Sequence, residues 1–89
     1  MTTKFIKDPD AVLDFTVDWS DWLDSDTIAS VTWVVPTGIT KDSDTKTTTT
    51  ATIWLSGGTV GTNYSIVCRI TTAGGRTDDR TFVVKCKDR

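Results

Sequence analysis

The sequence predicts an all-β, immunoglobulin-like sandwich of about seven short antiparallel strands, and three observations carry that prediction. Thr, Val and four Trp dominate, residues that lose rotamer freedom in a helix but fit a pleated, half-buried surface. Alternating apolar and polar runs recur, with turn signals roughly every 10 residues and no helical periodicity. Finally, Gly61-Thr62-Asn63-Tyr64 puts a tyrosine at the entry to the penultimate strand. That is where sandwiches build a tyrosine corner, whose hydroxyl bonds back to loop backbone. A small barrel of OB or SH3 type is the competing architecture.

Taken in order, residues 1–10 read as an N-terminal arm and residues 11–89 as a single sandwich domain. Phe5 and Ile6 have no obvious place in a core that starts at Leu13, so the arm is either a disordered tail or a segment that docks on a neighbouring subunit. Pro9 cannot donate a ladder hydrogen bond and suits a strand start or sheet edge. In residues 12–19, Leu13, Phe15, Val17 and Trp19 share one face while Asp14, Thr16 and Asp18 share the other.

A second strand covers residues 27–35, with Val31, Trp33 and Val35 facing the core. Ile28 is out of phase, which either a bulge near Ala29-Ser30 or a different facing of the strand's start would repair. Residues 41–50 are polar throughout and read as a loop leading into a threonine-rich strand, where Ala51, Ile53 and Leu55 alternate with Thr52, Trp54 and Ser56. Gly57-Gly58 and Gly61 mark a tight reversal. A hairpin closes the chain: Tyr64, Ile66, Cys68 and Ile70 go out on one face, and Phe82, Val84 and Cys86 return. Five strands follow from these patterns, and Phe5-Ile6 and Gly38-Ile39-Thr40 supply two more if they pair.

The same residues bound the chemistry. A net charge of −2, from 10 basic and 12 acidic side chains, offers no positive footprint and argues against nucleic acid as a partner. No stretch of roughly 18 apolar residues occurs, so no membrane is expected and the chain should stay soluble. Histidine is absent, which removes Ser-His-Asp and Cys-His sets, and no Gly-rich phosphate loop opens a helix. The expectation is a non-enzyme without cofactor or metal. Two cysteines cannot form a four-ligand zinc site; Cys68 and Cys86 are read as reduced thiols or as a cross-strand pair that closes in an oxidising medium. Asp18, Asp21, Asp24 and Asp26 read either as a turn whose carboxylates cap backbone amides or as calcium ligands, although they fit no twelve-residue calcium loop.

The tryptophans point toward binding. Trp19 and Trp33 face inward by parity, whereas Trp54 faces outward as an interface anchor, a sugar-stacking platform or a ring covered by a loop of its own domain. Trp22 closes the end of the sandwich or meets a partner. Phe5, Ile6, Trp22 and Trp54 are therefore the candidate partner-binding residues.

The order of motifs adds a resemblance. Residues 7–14, Asp18-Trp19-Ser20-Asp21-Trp22-Leu23, residues 26–30, Trp33-Val34-Val35-Pro36, Trp54-Leu55-Ser56-Gly57-Gly58 and residues 70–77 together resemble the fiber-tail adaptors of tailed bacteriophages. The likeness spans residues 7 to 84. It implies an immunoglobulin-like virion protein made in the host cytoplasm, sitting at the tail, neck or head-tail connector region. Its implied partners are tail, neck or fiber proteins and copies of itself in a ring. Trp19, Trp22, Trp33 and Tyr64 match as structural positions, and no partner contact carries over. Cys68, Cys86 and the charged end at residues 85–89 depart from the pattern. A capsid decoration or cement protein and a carbohydrate-binding adhesion module are the alternatives.

Overall fold

The structure is a computed structural model that describes residues 3–87; Met1 and Thr2 of the expected arm, and Asp88 and Arg89 of the charged end, lie outside the described residues. The elements are β1 (Thr3–Lys7), β2 (Leu13–Asp18), α1 (Ser20–Leu23), β3 (Ile28–Val34), β4 (Ile39–Lys46), β5 (Thr50–Gly57), β6 (Asn63–Thr72) and β7 (Thr77–Cys86). A four-stranded sheet in the order β1-β7-β6-β3 faces a three-stranded sheet in the order β2-β5-β4. This is the immunoglobulin-like arrangement, with the first strand joined to the sheet that holds the closing hairpin.

The inner faces carry the alternation read from the sequence. Phe15, Ile53, Leu55, Tyr64, Ile66, Phe82 and Val84 form one buried cluster, and Trp19, Leu23, Ile28, Ala51, Cys68 and Ile70 form a second toward the other end. Trp33 packs between them, its ring edge-on to Phe82 at 6.4 Å. The Ile28 parity break is a bulge: β3 pairs Ile28 with Thr72 and then Ser30 with Thr71. The tyrosine corner is present, with the Tyr64 hydroxyl accepting the Thr59 N–H at 2.9 Å.

Four expectations need correction. The arm contributes a strand, because β1 pairs in parallel with β7, from Thr3 opposite Phe82 to Lys7 opposite Cys86. The sandwich is thus not wholly antiparallel. Phe5 lies half-buried against Phe15 at 5.1 Å and Phe82 at 5.5 Å, so it completes an aromatic cluster of the core. Residues 41–46 are strand, not loop. Their backbone pairs with β5, while Lys41, Asp44 and Lys46 stand in register with the core residues Leu55, Ile53 and Ala51. Charges at inward positions of an edge strand, together with the bulge between Lys41 and Ser43, discourage pairing by a further strand.

The third correction is α1, a single helical turn that the strand pattern hides. Asp18 Oδ1 accepts the Ser20 N–H at 2.9 Å to start it, and buried Leu23 anchors its far side. The fourth concerns the thiols. Cys68 sits opposite Arg80, six residues before Cys86, a separation of about 20 Å along the strand, so no disulfide can join them. Both are buried free thiols, and burial pushes Cys68 up to about 11 against a smaller opposing effect of the Trp19 indole N–H and the Arg80 charge. Trp19 Nε1 has no partner of ordinary hydrogen-bond geometry.

Candidate partner-binding surfaces

Because each strand sends alternate residues to opposite faces, the buried set fixes which side chains remain on the two outer faces. On the three-stranded sheet, β5 presents Trp54 centrally, 39% exposed, with Asp14 of β2 on one side and Ser43 of β4 on the other. Around it lie the hydrogen-bonded pairs Thr16–Thr52 and Ser56–Asp42, each 2.8 Å long, and Asp18. The face is aromatic at its centre, hydroxylic around that centre, and acidic.

The outer face of the four-stranded sheet differs. Ile6 and Val34 are each 45% exposed on its two edge strands, and half-buried Val83 and Val67 lie between them. Val34 stands opposite Val67, Ser65 opposite Val83, and Val83 opposite Lys4, so the four apolar residues trace a diagonal across all four strands. Lys4 and Lys85 flank that diagonal and make no ion pair among the described residues, whereas Arg69 is held by Asp79 at 2.7 Å. These valines escape a reading that follows only the inward parity. Their signal is plain once apolar residues at the outward positions of β6 and β7 are collected.

The two remaining candidates are engaged within the chain. Phe5 belongs to the core, as described. Trp22 is half-buried, edge-on to Trp19 at 5.4 Å and covered by the Arg76 guanidinium at 4.4 Å. Arg76 also donates to Asp26 Oδ2 at 3.2 Å and to the Leu23 carbonyl at 2.9 Å. Arg80 repeats the motif over Trp19, donating to the Asp18 carbonyl.

Two carboxylates of the acidic segment, Asp18 and Asp26, cap backbone amides. Asp18 serves Ser20, and Asp26 Oδ1 accepts the N–H groups of Thr27 at 2.8 Å and Gly74 at 3.1 Å. The Thr72 hydroxyl first, then the Thr27 and Gly74 amides and Arg76, hold the Asp26 carboxyl down to about 2. A depressed carboxyl contributes stability above its unfolded value of 3.8 and loses it as pH falls through about 2. The melting temperature should therefore fall between those two pH values, and Asp26→Asn should flatten that acid limb; equal acid limbs in both chains would show that Asp26 does not tie the α1 end to the β6–β7 turn.

Among the described residues no helix is long and apolar enough to cross a membrane. The model of a family described as podophage GP4 fiber-tail adaptor protein gp77 matches residues 7–85. Among solved structures, the chain is similar to the solution structure of the PKD domain from KIAA 1837 protein, with a TM-score of 0.59 and 19% identity, over 99% of this chain and 81% of that one. That likeness concerns the fold alone. No curated protein matches the chain.

Proposed function

This chain belongs to the podophage GP4 fiber-tail adaptor family, gp77, and from that premise we propose that it is a non-catalytic structural protein of the phage particle. It joins the tail, at the neck or head-tail connector region, to a fiber or a neighbouring virion protein, in several copies. The observation behind this reading is the family match over residues 7–85, which takes in all of β2 to β6 and nearly all of β7. An adaptor must hold two things at once. The two outer faces, one apolar and basic, the other aromatic and acidic, supply two chemically different surfaces for that purpose.

Purified particles should contain the chain by mass spectrometry, and cross-linking in the particle should tie it to tail or fiber proteins. Its absence from particles would sink the reading, and cross-links confined to the capsid shell would make it a cement protein instead. A second reading has its own observation, the exposed Trp54 ring beside Asp14 and Ser43, which suits stacking on a sugar. Glycan-array screening with and without calcium tests it, and failure of the chain to bind any glycan removes it.

A further inference from the structure

The outer faces complement each other as well as differing. The four-stranded sheet offers an apolar diagonal, Ile6, Val83, Val67 and Val34, flanked by Lys4 and Lys85. On the opposite side of the sandwich the three-stranded sheet offers Trp54 among the carboxylates of Asp14, Asp18 and Asp42. One face has the apolar width to receive an aromatic anchor and the positive charge to match its surroundings. The other has the anchor and the negative charge. Neither matches itself, because lysines would meet lysines and aspartates would meet aspartates.

We propose that copies of this chain associate head to tail, the four-stranded face of one copy seating the Trp54 face of the next. The proposal rests on the multicopy adaptor reading above and adds the surface by which the copies meet. Such a contact is heterologous: every copy uses both faces, and the array closes as a ring or continues as a filament. The open strand edges are not needed for this contact, which agrees with the inward charges and the bulge that guard β4.

Sedimentation velocity across a concentration series, on the full chain, reads this directly. The wild-type chain should show a sedimentation coefficient that rises with concentration and falls back in high salt. Trp54→Ala should weaken association by at least about tenfold, as loss of a central aromatic anchor does. The pair Lys4→Glu/Lys85→Glu should abolish self-association, and so should the pair Asp14→Lys/Asp42→Lys. Mixing the two double variants should restore it, because each then presents the charge that the other's reversed face requires. All variants are first checked for the wild-type melting temperature; if a double variant melts early, Lys85→Glu and Asp14→Lys alone replace the pairs. Loss of association in both double variants is the outcome that a like-face dimer cannot give, because such a dimer uses one face and would survive charge reversal on the other.

A wild-type chain that stays monomeric at every concentration overturns the proposal, as do variants that assemble like wild type or mixtures that stay monomeric. Glycan binding at Trp54 by a monomeric chain overturns it too and assigns the ring to sugar. A monomer that is nevertheless found in purified particles defeats this contact and leaves the adaptor reading standing. An assembling chain that is absent from particles defeats the adaptor reading and leaves the contact.

Discussion

Gly58→Ala should cost the fold about 3 to 5 kcal/mol, from backbone strain and overpacking acting together. Gly58 has φ +102°, a conformation that L side chains rarely adopt, and a methyl group added there would run into Cys86 Sγ. The sulfur cannot easily give way. It is fully buried at the end of β7, and backbone bonds on either side hold that strand end, Gly61 N–H to the Cys86 carbonyl at 2.8 Å and Cys86 N–H to the Thr62 carbonyl at 3.0 Å. Gly57 is the control. Its φ of +76° is also left-handed, yet nothing lies within 4 Å of an added methyl, so Gly57→Ala should cost only the backbone strain, about 1 to 2 kcal/mol. Urea denaturation midpoints of the two variants measure the difference. Cys86→Ala in the Gly58→Ala background should recover part of the loss, giving a favourable coupling in a double-mutant cycle. Equal losses in the two glycine variants would show that the Cys86 contact contributes nothing. A domain of this size holds roughly 5 to 13 kcal/mol in all, so the larger loss should leave much of the chain unfolded on modest warming.

The half of the fold that sequence reveals is the half written in local pattern. Leu13 to Val17, Ala51 to Leu55 and the Tyr64 hairpin each bury one face of a strand, and period two shows it without knowledge of the partner strand. Even the bulge at Ala29 is legible, because a parity break between Ile28 and Val31 has few repairs. β1 and β4 show in the sequence only as the fragments Phe5-Ile6 and Gly38-Ile39-Thr40, and the rest of each is hidden for opposite reasons. β1 is short, and its place is set by pairing with residues about eighty positions away, Phe5 opposite Val84. Its inward position after Phe5 is a lysine, which no hydrophobic pattern assigns to a core. β4 is hidden because its inward positions beyond Ile39 carry charge, a feature that guards an edge and erases the alternation. The candidate surfaces divide the same way. Trp54 faces outward by parity alone, whereas Trp22 is covered by Arg76, and no sequence rule links a tryptophan in one turn to an arginine in a turn 54 residues on.

Lys7 is where the hidden part of the fold meets the proposed surface. Its side chain is fully buried at the end of β1, and Nζ donates to the Gly57 carbonyl at 2.7 Å and the Asp8 carbonyl at 2.9 Å. The ammonium thus ties β1 to the Gly57-Gly58 turn of the opposite sheet. Lys7→Met keeps most of the volume and the apolar stem but takes the charged donor from the Gly57 carbonyl, at about 1 to 3 kcal/mol, while the Asp8 carbonyl keeps the Ala11 N–H at 3.0 Å. A loss of about 1 to 3 kcal/mol is expected, read from denaturation midpoints. If Lys7 only fills space, the Met chain will match or exceed the wild type, as apolar replacements of buried ions sometimes do. The loss should also be local. Amide hydrogen exchange should quicken along β1, including the Lys87 N–H that bonds to the Lys7 carbonyl at 2.9 Å, while the centre of the β6–β7 hairpin keeps its protection. Ile6 and Lys4 ride on β1, so loosening the strand removes one end of the apolar diagonal and one of its two flanking lysines. The Lys7→Met chain should therefore self-associate more weakly than wild type although no residue of either outer face has been changed.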